Sequence, residues 1–354
     1  MLNRINFRRL TVAVLAVASL GVIAHQVAAC TRAVYFGKDG MVVTGRTMDW
    51  KEDLKSNMWI FPSGMDRDGG LGPASFQWKS KYGSVVLSAY EAATCDGMNE
   101  HGLVVNALYL AESDYETPGD TRPSMSIGAW SQYVLDSFSN VDEAVMELQK
   151  DAFRVVAPTL PNGAAATIHF SISDPSGDSA ICEYLGGKLV IHHAREFQVM
   201  TNSPTFDHQI ALNEYWRQIG GSIMLPGTNR AADRFVRASY YIDACDQTAD
   251  AREADAAVSS VMCNVSVPRG ISTPDQPNIA STIWRSVANQ KDRVYYFEHT
   301  FSPGAVWVEL SQIDFSPRSG VRKLTLVGEY NLGGNQTANF KKAEPFKFLA
   351  PEIK

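Results

Sequence analysis

Cysteine is scarce in this chain and shows no metal or redox spacing. Its five cysteines, Cys30, Cys95, Cys182, Cys245 and Cys263, include no C-x-x-C pair, so zinc-ribbon and thioredoxin-like chemistry are not indicated. A basic excess is also missing. Against 38 Asp and Glu stand 32 Lys and Arg, a net charge of −6, whereas a nucleic-acid binder wants a basic face. Charge blocks, low-complexity tracts and internal repeats are lacking, so nothing marks a linker or an array. The most apolar stretch, Leu10 to Ile23, has 14 residues, short of the roughly 20 that span a bilayer. His192-His193 and His208 fit no H-E-x-x-H or H-x-x-x-H pattern, so no metal and no cofactor is expected.

The positive signals begin at the N-terminus. Arg4, Arg8 and Arg9 precede the apolar run, His25 and Gln26 end it, and Val27 and Ala29 are small residues before Cys30. This pattern predicts a secretory signal over residues 1–29 with cleavage after Ala29. Residues 30–354 would then form a single domain, exported to the periplasm of a Gram-negative cell with no stable membrane anchor. Loss of the three arginines takes the charge from −6 to −9. Cys30 would become the first residue and carry a thiol and a free α-amine on one carbon. An α-amine has a pKa of about 8, so one residue would supply both nucleophile and general base. Two other readings stand beside this one. The segment could stay as a membrane anchor, or Val27-Ala28-Ala29-Cys30 could be a lipoprotein box. The second would make the protein a lipid-anchored, non-catalytic binding protein lipidated at Cys30. Lipoproteins usually follow that cysteine with a polar tether, whereas here Ala33-Val34-Tyr35-Phe36 follows almost at once.

Coarse patterning predicts strands at Ala33 to Phe36 and Met41 to Asp49 around the turn Gly37-Lys38-Asp39-Gly40. Ser84 to Tyr90 and Leu103 to Leu110 read as a second pair, joined through Asp96 to Gly102. Helices are expected at Ser124 to Phe138 and at Val141 to Lys150, the latter capped by Asn140. Strands follow at Ala166 to Ser173, Ser179 to Leu185 and Lys188 to His192. Helices return at Phe206 to Trp216, Asn229 to Ala244 and Asp250 to Cys263, and strands at Thr282 to Ala288, Val294 to Thr300 and Ala305 to Ser311. Blocks of strands alternating with blocks of helices indicate an α+β fold, which a four-layer αββα sandwich of two antiparallel sheets satisfies. Cys182, Cys245 and Cys263, which stand among apolar residues, read as buried free thiols. A Cys245–Cys263 disulfide stays open.

Four motifs in order carry a resemblance. Cys30-Thr31-Arg32 is followed by Gly45-Arg46-Thr47-Met48-Asp49-Trp50. Then come Asp96-Gly97-Met98-Asn99-Glu100-His101-Gly102-Leu103, Thr201-Asn202-Ser203-Pro204 with Phe206-Asp207, and Leu225-Pro226-Gly227 with Arg234-Phe235-Val236-Arg237. From Cys30 to about Ser311 the chain resembles the cholylglycine hydrolases, N-terminal nucleophile enzymes that include bile salt hydrolases and penicillin V acylases. The resemblance implies the N-terminal nucleophile fold, a homo-oligomer (a tetramer) and hydrolysis of linear non-peptide amides through a thioester. It implies Cys30 as nucleophile, Arg46 and Asp49 reaching it, and Arg234 facing the site with Arg237 structural. Asn202 and the Tyr109 backbone N–H would bind the oxyanion, with Trp50 and the Tyr109 ring shaping the acyl pocket. Spacing alone places Arg46 and Asp49 on opposite faces of a strand unless it bends. Asn202 equally suits an Asx-turn before the next helix. A papain-like site at Cys95 would need a cysteine-flanking signature and a partnering histidine, which the sequence does not offer.

Tyr109 stands where penicillin V acylases commonly carry Tyr and bile salt hydrolases Asn. With Trp50 it favours an aromatic or apolar acyl group. Trp59, Phe61 and Trp78 are expected at the pocket rim. The small-molecule acyl amide would be penicillin V or an N-acyl homoserine lactone, the latter a quorum-quenching activity, with conjugated bile salts as the alternative.

Overall fold

The computed structural model describes residues 30–351, apart from 116, 159–165, 221–222 and 272–279. The expected signal, residues 1–29, lies outside these. The chain opens with β1 (Thr31–Phe36), β2 (Val42–Asp49), β3 (Met58–Phe61), β4 (Asp66–Asp68), β5 (Gln77–Lys79), β6 (Ser84–Ala89), β7 (Ala93–Asn99) and β8 (Val104–Tyr109). β9 (Ser124–Ser126), α1 (Ile127–Ser137), α2 (Val141–Leu148), β10 (Arg154–Val156), β11 (Ile168–Ser173), β12 (Ser179–Leu185), β13 (Lys188–His193) and β14 (Val199–Thr201) follow. Next come α3 (Phe206–Ile219), α4 (Ala231–Ala244), α5 (Ala251–Val265), β15 (Thr282–Asn289), β16 (Val294–His299) and β17 (Val306–Glu309). Short strands β18 (Arg322–Leu324), β19 (Gly334–Asn335) and β20 (Lys341–Lys342) finish the chain.

Two sheets stack face to face. The first runs β14-β1-β2-β15-β16-β17-β19 and the second β13-β12-β11-β8-β7-β6-β3-β18-β20. Their pairings are antiparallel except β17 with β19. Helices α4 and α5 pack on the outer face of the first sheet, and α1 and α2 on the second. The expected αββα sandwich is therefore observed. Period-2 alternation decides which side chains enter each layer. On β2, Gly45 faces α5, where an added Cβ would lie 2.5 Å from Val258 Cγ1 and 2.7 Å from Met262 Cγ; only glycine admits the helix at that distance.

Asp96 to Gly102 is not a connector. Its first four residues belong to β7, and the turn is confined to Glu100–Gly102, with Gly102 at φ +83°. Asn99 holds that turn: its Oδ1 accepts from the His101 and Leu103 amides, and its Nδ2 donates to the Leu135 and Phe138 carbonyls at the end of α1. The Asn140 cap forms as expected, Oδ1 accepting from Glu143 N at 2.9 Å. α1 starts later than patterning indicates, because Ser124–Ser126 pairs with β10 and Ser126 is the N-cap. All five cysteines are free thiols, so Cys245 and Cys263 form no disulfide; Cys245 is only half-buried and Cys263 exposed, contrary to the buried expectation.

Candidate active site

Cys30 stands immediately before β1 and is 2% exposed. Its sulfur lies 3.8 Å from Arg46 Nη2 and 3.8 Å from Met48 Sδ, and takes the Asp49 backbone N–H at 3.5 Å. Strand alternation splits the two charged residues of β2, as their spacing indicates. Arg46 points into the space between the sheets, where it donates to Asp96 Oδ2 at 3.2 Å and to the Ala107 carbonyl at 2.9 Å. The Trp284 ring lies under its guanidinium at 4.6 Å. Asp49 points the other way. Its carboxylate accepts from Thr47 at 3.2 Å and from Thr282, and faces Arg234 at 3.6 Å. A bulge at Ile283 puts Thr282 there, shifting the β15 register opposite Met48 and Asp49. Asp49 thus meets the sulfur through its amide, while its carboxylate stands on the main-chain side of Cys30.

Arg234 ties this second group together. Its Nη1 donates to the Cys30 carbonyl at 2.7 Å and to Thr31 Oγ1, and its Nη2 to Asn202 Oδ1 at 3.1 Å. With its oxygen held, Asn202 presents its NH₂, which donates to the Tyr109 carbonyl at 2.7 Å. Leu110 N bonds Thr167 O, and Tyr109 pairs opposite Ile168. By ladder alternation the Tyr109 N–H therefore points away from β11, on the same side as its carbonyl and Asn202. Arg237, one turn further on α4, donates instead to the carbonyls of Pro226 and Thr228.

The pocket opens where β7 and β8 part. They pair from Met98↔Val104 to Asp96↔Asn106 and no further, and a bulge at Cys95 shifts β7 against β6. The wedge so formed is a cavity of about 110 Å³, floored by Cys30, Arg46 and Met48 and walled by Trp50, Tyr90, Ala107, Tyr109 and Ile127. The Trp50 and Tyr109 rings lie 5.9 Å apart, and Trp50 Nε1 donates to Tyr90 Oη at 2.9 Å. Asp49, Asn202 and Arg234 are not among the residues that line it. Trp59, Phe61 and Trp78 do not form the rim. They are packed in the second core, Trp59 and Phe61 against Phe346, and Trp78 against Tyr133 with Nε1 on Asp136.

Burial sets the electrostatics. It pushes the Cys30 thiol up, Arg46 pulls it down, Asp49 pushes it up again, and the net shift is upward. The guanidinium does not by itself make a thiolate, so the sulfur needs a base. Burial likewise pushes the Asp49 carboxyl up to about 6 against Arg234, Thr282 and Thr47. Cys95, pushed by burial up to about 12, donates to Leu87 O and has no histidine partner among the described residues, which leaves nothing for a papain-like site. Asp142, Asp178 and His193 bring ligand atoms within 4.8 Å of one another, but they do not line the Cys30 pocket.

Three residues of this site escape sequence reasoning. Asp96, read only as a motif letter, anchors Arg46; an acidic residue in an apolar strand just before a glycine is the signal for it. Tyr90 and Leu349 line the pocket and carry no local signal.

Residues 30–322 match the model of the linear amide C–N hydrolases, choloylglycine hydrolase family. The chain belongs to that family. It is 48% identical to a penicillin V acylase of Pectobacterium atrosepticum over 90% of this chain and 92% of the relative. The solved penicillin V acylase of Agrobacterium tumefaciens superposes with a TM-score of 0.85 at 52% identity, covering 90% and 99% of the two chains. A conjugated bile acid hydrolase of Clostridium perfringens shares the fold at 23% identity, with a TM-score of 0.70 and coverage of 86% and 98%. This chain is an amide hydrolase of the N-terminal nucleophile fold.

Proposed function

We propose that residues 1–29 are removed on export and that the mature protein is a periplasmic acylase with Cys30 as its N-terminal nucleophile. One observation carries this reading: the Cys30 thiol, with the Arg46 guanidinium 3.8 Å away, opens into an apolar pocket, immediately C-terminal to the expected cleavage site. Cleavage after Ala29 frees an α-amine beside that thiol. The amine takes the thiol proton as sulfur attacks the amide carbonyl, while Arg234, paired with Asp49, holds the Cys30 carbonyl. Asn202 Nδ2 and the Tyr109 N–H receive the oxyanion. The ammonium then protonates the leaving amine as the C–N bond breaks, and water hydrolyses the thioester to release the acid.

The substrate is an aromatic or fatty acyl amide of the penicillin V or N-acyl homoserine lactone type. Trp50, Tyr90 and Tyr109 offer faces for a flat ring or an alkyl chain, and the two relatives at about half identity are penicillin V acylases. A lipid on Cys30 would have to fill this same pocket, which speaks against the lipid-anchored reading. Self-association is supported by Ile210, Leu212, Tyr215 and Ile219, exposed on α3; sedimentation of the mature protein tests it.

The reading is tested by kcat/KM for penicillin V, homoserine lactones of graded acyl length, and glyco- and tauro-conjugated bile salts, with the mature N-terminus checked by mass spectrometry. The first two classes are expected to lead; a bile salt ahead by tenfold overturns the substrate assignment. Asn202→Ala is expected to lower kcat by roughly 10²–10³ with little change in KM, since an oxyanion donor acts in the transition state. A change confined to KM would make Asn202 a binding residue instead.

A further inference from the structure

The family match ends at residue 322, yet the pocket takes one wall residue from beyond it, Leu349. The segment leading there is fastened along its length. Ala343 N bonds Val321 O at 3.1 Å. Phe346 stands edge-on to Trp59 and Phe61 at 5.3 and 5.5 Å, and Phe348 edge-on to Phe346 at 5.7 Å. Phe348 closes over Gly70, where an added Cβ would come within 3.2 Å of the Phe348 Cβ. At Leu349 the backbone is held on both sides: its N–H donates to the Ala92 carbonyl at 2.7 Å, and its carbonyl accepts from Ser126 Oγ, the N-cap of α1. Ala92, Ala93, Ile127 and Gly128 line the pocket beside it. Leu349 therefore lines the side of the cavity that belongs to the β6–β7 turn and α1, while Cys30 enters from the other sheet.

We propose that this C-terminal strap is part of the specificity machinery, with Leu349 the wall against which the distal end of the acyl group packs and which sets the acyl length accepted. This rests on the acyl-amide reading given above. A rigid apolar stop makes the pocket end steep, because one methylene too many or too few changes kcat/KM by roughly 10- to 200-fold.

The experiment compares wild type, Leu349→Ala and Leu349→Trp in the mature protein over acyl amides of graded chain length. In parallel, carboxylic acids of the same lengths are assayed for protection of Cys30 against iodoacetamide, followed by mass spectrometry of the Cys30 peptide. Leu349→Ala is expected to raise the long-to-short ratio of kcat/KM by about tenfold and Leu349→Trp to lower it by a similar factor, with protection shifting in the same directions. Opposite signs separate a length gauge from general loosening, which would move both variants alike. Coincident profiles for all three proteins overturn the inference. If wild type hydrolyses none of the amides, the acylase reading fails and the protection series alone decides the role of Leu349; no length-dependent protection of wild type overturns that role as well.

Discussion

Cys30→Ser in the mature protein is expected to lower acylase turnover by roughly 10³-fold or more, removal of a hydrolase nucleophile having cost up to about 10⁶ elsewhere. The reason lies in the balance at the sulfur. Burial raises the thiol pKa against the pull of Arg46, so an α-amine beside the sulfur is there to take its proton. A hydroxyl in the same place starts from a far higher pKa and gains less from the same base. Circular dichroism of the variant should match wild type, since serine is smaller and the thiol makes only long contacts, at 3.5–3.8 Å. A chain that keeps Ala29 should be as inactive, because its Cys30 nitrogen is an amide and takes no proton at neutral pH. Turnover by a verified uncleaved chain would remove the amine from the mechanism, and near-normal turnover of Cys30→Ser would remove the sulfur.

Asp96→Ala is expected to destabilise the fold by about 3–5 kcal/mol, the range for stripping one partner from a buried ion pair, read as a lower denaturant midpoint. Asp96 and Arg46 are both fully buried, and the Asp96 carboxylate also accepts from Asn106 at 2.8 Å, Ser286 at 3.3 Å and Tyr295. Without it the Arg46 charge has no carboxylate partner among the described residues and is left with the Thr47 and Ala107 carbonyls, the Cys30 and Met48 sulfurs and the Trp284 ring. Asp96→Asn, which keeps an acceptor, should lose less stability and still lose activity, because the guanidinium is no longer drawn to its place beside the sulfur. An unchanged midpoint for Asp96→Ala would show that Arg46 is held by its other contacts alone.

The helices of this protein are legible because their signals are local. Asn140 caps α2 by a contact three residues away, and α3, α4 and α5 follow apolar spacing to within a few residues at their ends. β1 and β2 are equally plain, since Gly40 at φ +72° closes a four-residue turn between them. β7 was hidden, its Asp96 and Gly97 reading as turn residues, because what puts them in a strand is distant. Asp96 meets Arg46 across the sheets, and a side chain at Gly97 would stand 3.1 Å from Leu135 of α1. The expected rim aromatics differ from the observed ones for the same reason. Composition marks Trp59, Phe61 and Trp78 as large and apolar but cannot say which side of a sheet they face.

The chemistry on offer is written in the order of residues: a thiol that cleavage would make N-terminal, ordered motifs supplying a guanidinium, a carboxylate and an amide, and strand and helix blocks for an αββα sandwich. Those properties depend on residue type and near neighbours. Which groups meet depends on how the folded chain packs. It sent Arg46 to the sulfur and the Asp49 carboxylate to the main-chain side of Cys30, and parted β7 from β8 to open the pocket. It also brought Leu349 from the end of the chain to that pocket. Such contacts join residues up to hundreds of positions apart, and their geometry is set by sheet stacking, two bulges and the packing of a strap, none of which leaves a periodic trace in the chain.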